Sequence, residues 1–266
     1  MTSGPKFAAN LTMLFTEFPL LQRIDEAAKA GFAAVEVLFP YVCSPAEFAE
    51  RLQHNRLKLA LINAPAGDWD GGERGMAILP GREQEFRDNL ELALSYAREL
   101  DCRKIHVMSG IMPEGANRAE LKSQWLDNMR YAADRLQPFG ITLLIEALNN
   151  RNMPGYFLTE QYEALDLVRE IDRPNARAQL DIFHAQITNG DLSVLIRNLG
   201  SWIGHVQIAS IPDRHEPDEG EVFYPHIFKA LETAGYTGWI GCEYMPRATT
   251  AAGLGWLKSY PQPVAI

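Results

Sequence analysis

Glu146, Asp181, Gln207 and Glu243 lie 35, 26 and 36 residues apart in the second half of the chain, each at the end of a short apolar run. Taken singly, such a residue is ordinarily a strand-end polar group bonded to a neighbouring backbone. Together their spacing is close to one strand-plus-helix unit of about 30 residues, which predicts four side chains converging from consecutive parallel strands. Three carboxylates and one amide oxygen form an oxygen-rich donor set that suits Mg2+ or Mn2+ better than structural zinc. Converging carboxylates also repel, so without a cation at least one of them is expected to hold a proton at neutral pH.

His184 follows Asp181 by three residues and is expected at the same strand end, in contact with substrate. Arg214, within Pro212-Asp213-Arg214-His215-Glu216-Pro217, is expected to pair with a substrate carboxylate, a bidentate task that suits guanidinium. His205 precedes Gln207 by two residues and shares its strand face one layer deeper. His54, His106 and His226 carry no comparable signal and read as ordinary structural histidines. No GxSxG elbow occurs, and Cys43, Cys102 and Cys242 are far apart with no evident histidine partner. A cation flanked by two glutamates suits proton abstraction beside a carbonyl, in which the metal stabilises an enediolate and carboxylates carry the proton.

The elements that must position these groups are legible as eight apolar runs. They predict strands over 7–10, 34–38, 57–63, 104–108, 142–146, 177–181, 205–208 and 239–243. Between them, stripes such as Leu20, Leu21, Ile24, Ala27 and Ala28, or Trp125, Met129, Ala132, Ala133 and Leu136, have the one-face spacing of helices packed on a core. Gly31, Gly140 and Gly235 each stand between a helical stripe and the next strand, as a helix-ending residue would. Eight alternating units without a GxGxxG or GxxxxGK[ST] phosphate turn predict a single α/β domain over 1–266, a (β/α)8 TIM barrel. Residues 64–81, APAGDWDGGERGMAILPG, form one long irregular insert after the third strand. Loops of this length are uncommon unless functional, so the insert is expected to be an active-site lid, with Glu73 and Arg74 among its substrate contacts.

The 266 residues carry 25 Lys+Arg against 34 Asp+Glu, a net charge of −9 without any basic cluster, which argues against a nucleic-acid partner. No apolar stretch is long enough for a membrane span, and the first residues show no basic segment leading into a long apolar one. Unpaired cysteines and the absence of a leader predict a cytoplasmic protein acting on a small molecule. Its exposed barrel helices are compatible with a homo-oligomer.

Beyond the individual residues, the chain resembles along almost its whole length the xylose isomerase-like barrels, specifically the hydroxypyruvate isomerases and 2-oxo-tetronate isomerases. The resemblance rests on Phe7-Ala8-Ala9-Asn10-Leu11, Val35-Glu36-Val37-Leu38-Phe39-Pro40, Pro65-Ala66-Gly67-Asp68-Trp69 and Gly72-Glu73-Arg74-Gly75. Farther along it rests on Leu180-Asp181-Ile182-Phe183-His184, His205-Val206-Gln207-Ile208-Ala209, Arg214-His215-Glu216-Pro217 and Gly241-Cys242-Glu243-Tyr244. It implies that Glu146 and Glu243 are the proton donor and acceptor, and that Glu146, Asp181, Gln207 and Glu243 hold the cation. The implied reaction is an aldose–ketose type isomerisation of a short hydroxy-oxo acid, with hydroxypyruvate to 2-hydroxy-3-oxopropanoate first and a 2-oxo-tetronate as the alternative. A ketose 3-epimerase and a non-catalytic sugar-acid binding protein are the next readings. A phosphoesterase or abasic-site endonuclease on the same barrel would want several zinc-binding histidines and a basic groove.

Overall fold

Strands and helices follow one another from β1 to β8, with two helices between β6 and β7, in a computed structural model, which covers residues 4–263. Residues 1–3, part of the segment read above for a leader, and residues 264–266 lie outside it. The first half runs β1 (Lys6–Asn10), α1 (Leu20–Lys29), β2 (Ala34–Val37), α2 (Pro45–His54), β3 (Lys58–Asn63), α3 (Glu83–Glu99), β4 (Lys104–His106) and α4 (Arg118–Leu136). The second runs β5 (Thr142–Glu146), α5 (Gln161–Ile171), β6 (Ala176–Asp181), α6 (Ile182–Thr188), α7 (Leu192–Leu199), β7 (Ile203–Ile208), α8 (Tyr224–Thr233) and β8 (Trp239–Cys242). All eight strands are parallel in sequence order, and β1 closes on β8 through Phe7↔Ile240, Ala8↔Gly241 and Ala9↔Cys242. The expected TIM barrel is the observed fold.

Local chemistry accounts for the junctions. Ser44 caps α2 by accepting from the Glu47 amide, with Pro45 at the first helical position, and Asn117 caps α4 through the Ala119 amide. Gly31, Gly140 and Gly235 take φ of 90°, 64° and 82°, the left-handed backbone expected where a helix stops and a strand begins. Strand β4 is shorter than its apolar run, and beyond it Ser109 forms an antiparallel bridge with Gly75 of the long insert.

Alternation along the strands sorts the side chains into two environments. Phe7, Val35, Ile105, Leu143, Ile145, Leu180, Val206 and Ile240 join the main apolar cluster between sheet and helices. The opposite face is different. Ala8, Ala34 and Ala60, with Trp239 packed on them, make a small apolar plug. Above this plug the inward positions are polar and buried: Asn10, Glu36, His106, Glu146, Gln179, Asp181, His205 and Gln207. A TIM barrel interior is ordinarily filled with branched aliphatic residues. Burying this many polar groups is tolerable only if they bond to one another or to a ligand.

Residues 64–81 are folded onto the barrel. Within the insert, the Asp68 amide donates to Glu73 at 2.6 Å, Arg74 stacks 3.9 Å over Trp69, and Trp69 packs on Phe39 at 5.2 Å. Met76, Ala77 and Ile78 are buried, and Asn128 of α4 donates to the Ala77 carbonyl at 2.8 Å. No helix among the described residues is long and apolar enough to cross a membrane.

Candidate active site

The deepest polar layer is organised around Glu36 on β2. Its carboxylate accepts from Asn10 Nδ2 on β1 at 2.9 Å and from Gln207 Nε2 on β7 at 2.8 Å, and it contacts His205 Nε2 at 2.7 Å. The other ring nitrogen of His205 lies 3.5 Å from Lys104 Nζ on β4. Burial pushes the Lys104 ammonium down to about 8, against the opposing pull of Glu36. Room for the Glu36 carboxylate exists because residue 241 is glycine. A Cβ at that position would collide with both Glu36 carboxylate oxygens.

From this layer the bonds climb to two further glutamates. Asn10 Nδ2 also donates to Glu243 Oε1 at 3.3 Å. Gln207 Oε1 accepts from Gln179 Nε2 at 2.7 Å, and that same amide donates to Glu146 Oε2 at 2.9 Å. Glu243 and Glu146 therefore hang from one buried polar chain, although one directly follows β8 and the other ends β5. Arg214 bridges the layer above: Nη2 lies 2.6 Å from Glu243 Oε2 and 3.2 Å from Asp181 Oδ2. The guanidinium packs 4.8 Å over the Phe183 ring, and its residue takes a left-handed φ of 59°, an uncommon state for a non-glycine.

Burial raises the pKa of Glu146 well above the carboxylate range, and the charges of Glu243 and Asp181 push it the same way. Glu243 is also raised by burial, although Arg214 opposes the shift. Burial works against the charge on Arg214, but Glu243 and Asp181 outweigh it and hold the arginine protonated. Glu146, Asp181 and His184 present one ligand atom each within 4.8 Å of one another, close enough together to hold a metal ion.

The sequence-family model described as the xylose isomerase-like TIM barrel matches residues 24–260. The chain belongs to the xylose isomerase-like TIM barrel family. It is 49% identical over 256 residues to a 2-oxo-tetronate isomerase of Cupriavidus necator, covering 96% of this chain and 98% of that one. It is 44% identical to the hydroxypyruvate isomerase of Escherichia coli, covering 96% and 99%. A crystal structure titled AP endonuclease, family 2, from Brucella melitensis superposes with a TM-score of 0.95 at 55% identity, covering 96% of this chain and 99% of the other.

In this xylose isomerase-like barrel the tautomer of His184 decides which atoms are available to a cation. The Asn149 backbone amide, which can only donate, lies 3.1 Å from His184 Nδ1. Burial holds the ring neutral, with its pKa pushed down to about 4. Nδ1 is therefore the acceptor and Nε2 carries the hydrogen, so Nε2 faces Asp181 Oδ2 at 3.5 Å as a donor and has no lone pair for a metal. The oxygen atoms remain. Among them Glu146 Oε1 is buried without a hydrogen-bond partner among the described residues, and Asp181 keeps Oδ2 directed at Arg214 while Oδ1 caps α6 through the Phe183 amide.

The structure thus gathers Glu146, Asp181, His184, Gln207, Arg214 and Glu243 at one mouth. It does not bring Glu73 and Arg74 into that group. Glu73 is bonded to Arg82 and to the Asp68 amide, and Arg74 is spent on Trp69 and on lid carbonyls. His106, read above as an ordinary structural residue, is instead buried with Nδ1 at 3.7 Å from Glu146 Oε2. Glu36 and Asn10 stand in the family motifs quoted above but were given no role there, and Gln179 was not singled out from the sequence. The available signal was alternation: Gln179 precedes Asp181 by two residues, just as His205 precedes Gln207.

Proposed function

We propose that the chain is an isomerase of small hydroxy-oxo acids that moves a carbonyl between adjacent carbons through a cis-enediolate, with Glu146 and Glu243 as the proton-carrying groups. The observation that carries this reading is the pair itself. Two buried glutamates with raised pKa values reach one mouth from strands three positions apart in the barrel, so they address a bound substrate from different sides. One carboxylate removes the proton from the hydroxyl-bearing carbon, leaving the electron pair in the carbon–carbon double bond of the enediolate. The other, protonated, returns a proton to the former carbonyl carbon. A proton then passes between the two oxygens, and the substrate has become its isomer with no net change in atoms or electrons. A carboxyl group held within reach of the reacting carbons can take up the proton in one half of the cycle and release it in the other.

Arg214 is assigned the substrate carboxylate, a role supported by its Nη1, which makes no hydrogen bond among the described residues, while Nη2 and Nε are engaged with the acid cluster and the Glu243 carbonyl. His184 Nε2–H serves as a neutral donor beside Asp181. Glu146, Asp181, Gln207 and Glu243 fit a hard cation, Mg2+ or Mn2+, because their donors are oxygens and Glu146 Oε1 has no protein partner. Such an ion would supply electrostatic stabilisation to the negative charge that develops on the substrate oxygens. The insert at 64–81 acts as a cover held rigid by the Glu73–Arg82 pair, whose role is to shape the lid. Hydroxypyruvate and 2-oxo-tetronate, the substrates in the names of the relatives above, share the carboxylate, carbonyl and hydroxyl-bearing carbon this machinery requires.

The endonuclease title of the Brucella structure suggests phosphodiester cleavage as a second reading. The net charge of −9 and the locked His184 Nε2 both count against it. The test is proton NMR in D2O with hydroxypyruvate and 2-oxo-tetronate in the presence of Mg2+ or Mn2+. Conversion of either with deuterium entering at carbon is expected. Absence of both conversion and exchange with both substrates would overturn the isomerase reading.

A further inference from the structure

The polar lining of the mouth is unevenly satisfied. On β7, β8, β1 and β2, the buried side-chain atoms of His205, Gln207, Glu243, Asn10 and Glu36 all have hydrogen-bond partners in the protein. Along β3 to β6 the situation reverses. Asn63 Oδ1, both ring nitrogens of His106, Glu146 Oε1 and Gln179 Oε1 are buried with no partner among the described residues. Asn63 and His106 are register partners on β3 and β4, so their side chains share the inward face, and they are 3% and 2% exposed. Buried polar atoms are satisfied in the great majority of cases. Five unsatisfied atoms on four consecutive strands of one mouth mark a surface built for oxygen atoms of a ligand.

We propose that His106 and Asn63 form a subsite for a hydroxyl group of the substrate beyond the reacting carbons, so that the site favours a four-carbon over a three-carbon hydroxy-oxo acid. The inference rests on the isomerase reading above. Its chemistry follows from counting the substrate's groups. Arg214 takes the carboxylate, and the glutamates and cation serve the carbonyl and the adjacent hydroxyl. Hydroxypyruvate has no group left for the β3–β4 side. A 2-oxo-tetronate has one more hydroxymethyl end, whose hydroxyl is both donor and acceptor. Neutral imidazole likewise offers one donor and one acceptor, and the Asn63 carbonyl oxygen offers an acceptor. At 3.7 Å the His106–Glu146 approach is longer than a hydrogen bond, so Glu146 does not occupy the imidazole.

The experiment compares wild type, His106→Leu and Asn63→Ala on hydroxypyruvate and on 2-oxo-tetronate by NMR, with circular dichroism reporting the fold. Wild type is expected to favour 2-oxo-tetronate in kcat/KM. His106→Leu is expected to lose about 30-fold or more on that substrate, chiefly through KM, and less than about threefold on hydroxypyruvate, because only the substrate able to use the imidazole can miss it. Asn63→Ala is expected to shift selectivity in the same direction, and it carries the comparison should His106→Leu not fold. Inhibition gives an independent readout: erythronate, which has the fourth carbon and no carbonyl, should bind wild type more tightly than glycerate, and His106→Leu should erase the difference. Equal losses on both substrates would overturn the subsite and make His106 a positioning residue for Glu146. Unchanged selectivity in both variants of an active enzyme would overturn the subsite alone. A wild type inactive on both substrates would overturn the isomerase reading with it.

Discussion

The two halves of the barrel mouth handle the same problem in opposite ways. On the β7–β8–β1–β2 side, Glu36 gathers His205, Gln207 and Asn10 into a closed set of bonds, and Asn10 passes the constraint on to Glu243. On the β3–β6 side, Asn63, His106 and Glu146 keep polar atoms buried with no protein partner. Both halves carry the desolvation cost of polar groups, but only the first recovers it within the folded chain. The difference separates a scaffold, which must be rigid before substrate arrives, from a receptor, whose bonds are completed by what it binds.

The sharpest way to break this division is at the two glutamates that span it. Glu146→Gln or Glu243→Gln should each lower kcat by about 10²-fold or more, the scale of a lost general acid or base, with the thermal midpoint little changed because the amide keeps the shape. More than a few per cent residual turnover in either variant would reject the two-glutamate scheme. Next in size is the scaffold itself. Glu36→Leu strands His205, Gln207 and Asn10 in the barrel, and urea denaturation should show a loss of about 3–5 kcal/mol. A loss below about 1 kcal/mol would mean the network adds no rigidity.

Lys104 sharpens the same point through pH. In the unfolded chain its ammonium holds its proton to about 10.5, whereas in the barrel it lets go at about 8. Between those values folding releases a proton, so stability rises with pH across that window, and the charged form costs the fold up to about 3 kcal/mol at neutral pH. Wild type should therefore gain stability relative to Lys104→Met as urea denaturation is repeated from pH 8 to pH 10. A difference independent of pH would contradict it. The smallest effect belongs to the open side: Asn63→Ala should cost under about 1 kcal/mol of stability, since its Oδ1 loses no protein partner, whereas Asn10→Ala, which strips donors from Glu36 and Glu243, should cost about 1–3 kcal/mol. Equal costs at the two asparagines would erase the contrast.

How much of this the sequence revealed follows the range of the interactions. Strand β5 begins and ends where its apolar run does, at Thr142 and Glu146, because both limits are local: a helix-ending glycine before it and a polar residue at its end. Asp181, Gln207 and Glu243 were legible from a spacing of one βα unit, which is a property of the chain and not of its closure. The hub was not. Glu36 meets Gln207 across 171 residues and Asn10 meets Glu243 across 233, contacts that exist only once β1 has paired with β8. His106 escaped for a related reason. Its meaning lies in having no partner, and a sequence does not display which side chains a fold leaves unpaired. The lid residues differ in another way: Glu73 and Arg74 look like ligand contacts by type, and in the structure they are bonded to Arg82 and stacked on Trp69.

Glycine at 241 has a consequence for how this barrel can be altered. Glu36 fits only because β8 offers no side chain at that level, while its partners His205 and Gln207 come from β7. The first and last quarters of the chain are therefore interlocked, and neither can be exchanged as a cassette for the corresponding quarter of another barrel. A chimera that imports a new β1–β2 with an aliphatic residue at 36 inherits a hole beside residue 241 and stranded polar groups on β7. One that imports a new β8 with alanine at 241 evicts the carboxylate. Recombination of this molecule succeeds at a junction that carries 36, 205, 207 and 241 together, which makes the barrel modular in its helices and loops but indivisible across its seam.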